Sequence, residues 1–234
     1  MQEFTEQVEK FIAQQIELYG DELAVGREQV LASSESKVIS EEKEVWQKSQ
    51  TLAELNQTIE NCRKCKLAET RHKFVFGEGN PNADIVLVGE APGADEDRTG
   101  RPFVGAAGQL LTKILAAIQL TREEVFICNI LKCRPPQNRN PQEDEIHACE
   151  PYLYKQIELI RPQFVLCLGL FAARTLLKTT RSLGELRSHV HTFGNAKLLV
   201  TYHPAALLRF PQYKRPTWED VQLLRRLYDE WKIS

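Results

Sequence analysis

Four short apolar runs, each ending where glycine or a polar cluster begins, restrict this chain to few architectures. Ile85-Val86-Leu87-Val88 closes on Gly89, and Val125-Phe126-Ile127-Cys128 leads into Asn129. Phe164-Val165-Leu166-Cys167-Leu168 ends at Gly169, and Lys197-Leu198-Leu199-Val200-Thr201 runs into Tyr202-His203-Pro204. A continuous apolar run is what a strand covered on both faces needs. Between the runs lie helical segments at 107–120, 142–160 and 170–178. A closing helix at 217–232 turns Val221, Leu224 and Leu227 inward. Strands alternating with helices predict an α/β fold, a three-layer α/β/α sandwich on a central four-stranded, mainly parallel sheet. Cys128 and Cys167 fall inside strands and read as core residues. In such sheets the working groups collect beyond the carboxyl ends of the strands, where the polar clusters of this chain fall.

The first fifty residues have a different character. Phe4, Val8, Phe11, Ile12, Ile16 and Leu18 recur at helical spacing over 3–19, and 33–44 read as polar linker. The expected division is an acidic N-terminal helical extension over 1–50 and a main domain over 51–234. That domain opens with Thr51 and Glu54, a capping box for a short helix running to Asn61. Charge divides in the same way. Residues 1–48 hold 11 acidic and 5 basic side chains against 21 and 25 in the remainder, so a formal net charge of −2 conceals a mildly basic body. Such a body is compatible with a nucleic-acid partner. No apolar stretch approaches the ~18 residues of a membrane span, and the acidic start lacks the layout of a secretory signal. The expected address is the cytoplasm, where six cysteines suit metal ligation better than disulfides.

Four of those cysteines are set out for a metal. Cys62-x-x-Cys65 lets two thiolates grip one centre from a single turn, amid Arg63, Lys64 and Lys66, a polar and loop-like setting. Cys133 and Cys149 supply two more from the body of the fold. The spacing leaves a tetrahedral zinc and an iron–sulfur cluster both open.

The strand-end clusters, taken in order, resemble the uracil-DNA glycosylases and, within them, the iron–sulfur-containing family 4. The resemblance rests on Cys62-x-x-Cys65, Gly89-Glu90-Ala91-Pro92-Gly93 with Glu96-Asp97, and Gly100-Arg101-Pro102-Phe103-Val104-Gly105. It continues through Asn129-x-x-Lys132-Cys133-Arg134-Pro135-Pro136, Cys149, and His203-Pro204-Ala205-Ala206-Leu207-Leu208-Arg209. It covers roughly 52–232. It implies a [4Fe-4S] cluster on Cys62, Cys65, Cys133 and Cys149, structural by default, which would pin the loop bearing Arg134, Asn138 and Arg139 so that it presents cations to DNA. It implies as activity the hydrolysis of the N-glycosidic bond of deoxyuridine in single- or double-stranded DNA, leaving an abasic site for base excision repair.

That chemistry needs an extruded base, a face to stack it, an amide to read its edge and a donor for the charge that builds on it. Phe103, in a Gly/Pro-rich loop, is either an ordinary core residue or the stacking face. Asn129, at a strand end, either steadies a turn or reads uracil O4 and N3–H, disfavouring cytosine. His203 is the donor expected at uracil O2. Leu207, Leu208 and Arg209 are candidates for the wedge that fills the vacated stack. The best-known uracil glycosylases carry Asp and Tyr at the positions of Ala91 and Gly93; family 4 lacks both. Glu90 is then expected to organise water or the cation-like sugar, and Glu96 to supply the missing steric block, unless 95–97 are only a solvated acidic loop. No Lys-Arg-Arg-Ile-His insertion follows Cys133 and no lysine is placed as a Schiff-base nucleophile, so turnover without a lyase step is expected. Two other readings stay open: a non-catalytic DNA- or polymerase-associated binding module, and a pocket that takes hypoxanthine. A monomer is the default for an enzyme that scans DNA.

Overall fold

In the computed structural model residues 44–233 are described. The helix expected over 3–19 and nearly all of the polar linker lie outside the described residues. Among the described residues six strands form one sheet: β1 (Glu78–Gly79), β2 (Ile85–Gly89), β3 (Phe126–Asn129), β4 (Phe164–Leu168), β5 (His191–Phe193) and β6 (Ala196–Thr201), lying in the order β1-β3-β2-β4-β6-β5. The inner four are parallel and the two edges antiparallel. The expectation of four strands is thus corrected to six. The added edges are only two and three residues long, too short to show any period in the sequence.

Helices cover both faces, and the side chains of the strands sort between them. Val86, Val88, Cys128, Val165, Cys167, Leu198 and Val200 face one core. That core is closed by α1 (Leu52–Ile59), α5 (Glu143–Ile160) and α6 (Leu170–Leu177), with α2 (Leu67–Thr70) and α7 (Leu183–Leu186) at its margins. Ile85, Leu87, Ile127, Phe164, Leu166 and Leu199 face the other, under α4 (Ala106–Ala117) and α9 (Lys214–Ile233). Neighbours along each strand enter opposite cores, as a pleat requires, which is why the runs had to be apolar throughout. Cys128 and Cys167 lie inside the first core, where burial pushes both thiols up.

Local chemistry sets the element ends. Thr51 Oγ1 accepts the Glu54 N–H at 3.2 Å and starts α1, while Glu54 reaches back to the Gln50 N–H at 2.8 Å. Among the short helices not expected from the sequence are α3 (Ala94–Thr99) and α8 (Pro204–Arg209). They follow β2 and β6 and carry the residues after the first and last polar clusters across one end of the sheet.

Candidate active site and cysteine centre

A cleft of about 370 Å³ opens at that end, lined by Glu90, Ala91, Gly93, Glu96, Phe103, Asn129 and His203 among others. Its floor depends on Gly89, the last residue of β2. A Cβ there would come within 2.3 Å of Asn129 Oδ1 and 2.5 Å of the Phe103 ring, so the absent side chain lets both groups reach the same spot.

Phe103 is buried with a left-handed φ of 53°, a conformation that strains a bulky residue unless its surroundings enforce it. Arg122 enforces it from one side, donating to the carbonyls of Phe103 at 3.0 Å and Pro102 at 2.8 Å while paired with Glu78. Glu96 enforces it from the other: its Oε1 accepts the N–H groups of Val104 at 2.8 Å and Gly105 at 3.0 Å. The ring so held stands 5.5 Å from that of His203, tilted by 34°.

Asn129 is 1% exposed, and its Oδ1 has no hydrogen-bond partner among the described residues. A bare buried acceptor costs about 1–3 kcal/mol. Beside an aromatic ring in a cleft, that oxygen is free to accept an N–H.

His203 is the N-cap of α8, and its Nδ1 accepts the Ala205 N–H at 3.2 Å. With Nδ1 accepting, the neutral ring carries its proton on Nε2. Burial lowers its pKa to about 4, opposed by Glu96 and aided by Arg209. The imidazole is therefore a neutral Nε2–H donor at physiological pH. Glu90 differs: burial raises its carboxyl to about 7, and the group has no hydrogen bond or ion pair among the described residues.

Glu96 is more than a surface acid. Besides the two loop amides, its Oε2 accepts the Gly93 N–H at 3.1 Å, and a Cβ at Gly93 would meet that oxygen at 2.8 Å. Glu96 thus occupies the space a side chain at 93 would need. Next to it, Asp97 is buried and accepts from the backbone of His72 at 2.9 Å.

On the rim, the three residues read as a wedge separate. Leu207 is 2% exposed and Leu208 51% exposed, while Arg209 is exposed and reaches the cleft. Leu207 cannot enter a base stack without leaving its core. Opposite stand Pro135, Asn138, Arg139 and Asn140. Arg139 is already balanced by Glu145, at 2.9 and 2.5 Å, and Arg134 is held by Asn138 Oδ1 at 2.8 Å.

Behind this rim Cys133 lies near Cys62 and Cys65, and Cys149 near Cys133 and Cys65. Donors aim at three of the sulfurs. Tyr152 Oη donates to Cys62 Sγ at 3.3 Å, Arg71 Nη1 to Cys133 Sγ at 3.2 Å, and the backbone N–H of Lys132 to Cys149 Sγ at 3.4 Å. Such bonds are the outer support expected of ligating thiolates. Burial, opposed by Lys132, pushes the Cys149 thiol up to about 12, and a bound cationic centre would reverse that preference. Yet among the described residues no three His, Cys, Asp or Glu groups converge as a single ion requires. Trp46 closes the outer side, its ring edge-on to Tyr152 at 4.9 Å, with Lys64 Nζ 5.5 Å from both rings.

Arg71, Arg122, Lys132 and Tyr152 were not singled out from sequence. Only Lys132 carried a signal, as the residue directly before Cys133 in the cluster that follows Asn129.

The family model of the uracil DNA glycosylase superfamily matches residues 76–222. The chain is 44% identical over 186 residues, 76% of this chain and 94% of the relative, to a type-4 uracil-DNA glycosylase of Archaeoglobus fulgidus. It is 43% identical over 180 residues to that of Pyrobaculum aerophilum, covering 74% and 92% of the two chains. With that of Saccharolobus solfataricus it is 47% identical over 185 residues, covering 75% and 86%.

Proposed function

Because the chain belongs to the uracil DNA glycosylase superfamily and groups with its type-4 members, we propose that the cleft takes uracil turned out of DNA and cuts its bond to deoxyribose. The chain is a DNA-repair hydrolase that excises uracil. The observation that carries the reading of the site is the bare Oδ1 of Asn129 beside the Phe103 ring. Uracil offers N3–H to that oxygen and O4 to the amide N–H, whereas cytosine presents an amine where O4 would be. Phe103 stacks the base. His203 Nε2–H faces O2, where negative charge builds as the bond breaks. Glu90 in its ionised form takes a proton from the attacking water or steadies the cationic sugar. Ala91 and Gly93 leave the base its room, and Glu96 supplies the wall that excludes a 5-methyl group. Leu208 and Arg209 fill the gap in the stack.

Cys62, Cys65, Cys133 and Cys149 hold a [4Fe-4S] cluster in this reading, supported by the donors to three of their sulfurs and by the likeness to type-4 relatives. The cluster fastens the Cys133–Cys149 loop and needs no part in the bond cleavage. We place the activity in 51–234 and treat 1–50 as an extension. The protein works as a monomer on uracil-containing DNA in the cytoplasm. Among the described residues no helix is long and apolar enough to cross a membrane.

The test is a single-stranded oligonucleotide bearing one deoxyuridine, treated with protein and then alkali. Breaks are expected only at uracil. Asn129→Ala should lower excision by roughly 10- to 100-fold, the loss of one well-placed buried hydrogen-bonding amide, and erase the preference over hypoxanthine. An absence of breaks from protein that keeps its iron overturns the assignment of the cleft.

A further inference from the structure

Lys132 is among the bulkiest fully buried side chains of the described residues, 0% exposed, and nothing in the chemistry above uses it. A lysine is seldom fully buried without a carboxylate partner, and a methionine would fill the same space at no polar cost. What methionine lacks is the hydrogen-bond donors. Lys132 Nζ donates to the backbone carbonyl of Asn129 at 2.7 Å and to Gln156 Oε1 at 2.6 Å. Gln156, itself 0% exposed, donates onward to the Phe76 carbonyl at 2.9 Å. The Lys132 carbonyl accepts the Val75 N–H at 2.9 Å. Both partners of Nζ are pure acceptors, so the direction of each bond is fixed.

The position of this link in the fold gives it a consequence. Asn129 ends β3, and the peptides after it are tied to β2, Ile130 N–H to the Gly89 carbonyl and Leu131 N–H to that of Glu90, each at 3.0 Å. One side of the Asn129 amide is thus bounded by β2 and the Phe103 ring. The Asn129 carbonyl is anchored through Lys132 to Gln156, on α5, two turns beyond Cys149. We propose that Lys132 is a positioning residue for base recognition: by holding the Asn129 peptide against α5, it fixes the direction in which the Asn129 amide meets the base. The proposal rests on the reading of Asn129 as the base-reading group. Misplacement of a recognition group by under an ångström is enough to lose much of its effect.

The experiment uses the iron-loaded full chain and free uracil as the probe, read as competitive inhibition of excision. Lys132→Met should bind free uracil about tenfold more weakly while iron content matches the wild type. Combined with Asn129→Ala it should add nothing to the single Asn129→Ala loss, because both changes remove one interaction. Lys132→Gln, which keeps a donor, should recover part of the binding. A residue that only stabilises the fold would instead give additive losses. Gln156→Met removes the anchor without changing Lys132 or Asn129 and should show the same non-additivity; it decides the matter if Lys132→Met does not fold. Wild-type uracil binding in both folded variants, or additive losses with Asn129→Ala, overturns the proposal. If the wild type itself releases no uracil, the reading of the cleft falls first, an outcome distinct from excision by the wild type with an unaltered Lys132→Met.

Discussion

Replacing His203 by alanine is expected to slow uracil release by roughly 10²- to 10³-fold, the usual loss when one preorganised donor to a developing anion is removed, with DNA affinity changed only a few-fold. The expectation comes from two independent features of the ring. Its Nδ1 is committed to the Ala205 N–H, so the proton sits on Nε2. Its burial holds the pKa near 4, so no proton need be shed or gained near neutrality. Alanine also leaves the first turn of α8 uncapped, a cost of about 1 kcal/mol. Melting and single-turnover rates should therefore be measured together. A rate loss with modest loss of stability supports the donor role, and a rate within threefold of wild type removes it. The linkage also has a definite sign. A histidine whose folded pKa lies below its unfolded value of 6.5 favours folding above that value, and this contribution disappears as pH falls through about 4. Acid should weaken the protein through this group, whereas neutral pH should not.

Glu90 should give the second large effect, in the pH profile. With its carboxyl at about 7, the ionised fraction grows about tenfold per pH unit below that value and levels off above it. The excision rate is expected to follow the same curve. Glu90→Gln should flatten the profile and lower the plateau by roughly 10²- to 10⁴-fold. A wild-type rate that is flat from acid to alkali would show that this carboxylate does no proton work. Stability moves the other way. A carboxyl raised from 4.5 to about 7 on folding is most favourable to the fold below 4.5, and that advantage is lost as pH rises through 7. Between those limits the protein gains activity as it loses stability, the arrangement expected when a buried acid is kept for function.

The sequence made some of this readable for a plain reason. The inner strands are covered on both faces, so Ile85–Val88 and Phe164–Leu168 had to be apolar throughout, and their ends had to mark one edge of the sheet. Asn129 and His203 could be placed because each directly follows such a run. The edge strands at Glu78–Gly79 and His191–Phe193 left no pattern, being short and half exposed. The buried state of Leu207 beside the exposed Leu208 was equally hidden, since the two neighbours have the same chemistry and only packing against α4 and α9 tells them apart. Glu96 could be read as a steric block or as part of a solvated acidic loop, but its hold on the backbone could not be read. Its three backbone bonds join loops that come together only in the folded chain. Tyr152 reaches Cys62 across ninety positions, a pairing that no local spacing encodes.

The aromatic pair outside the cysteine centre has an optical consequence. Trp46 meets Tyr152 at 4.9 Å, and the Tyr152 hydroxyl meets Cys62 Sγ at 3.3 Å. Trp231 lies against the opposite face of the sheet. An iron–sulfur cluster absorbs broadly across the range in which tryptophan emits, and energy transfer to it falls steeply with distance. Trp46 should therefore be dark while the cysteines are loaded and become bright when iron is stripped. The difference spectrum between wild type and Trp46→Phe should isolate that change. The same Trp46 component in loaded and stripped protein would mean that no absorbing centre lies beside it. Otherwise, the chain reports by its own fluorescence whether its cysteines are filled.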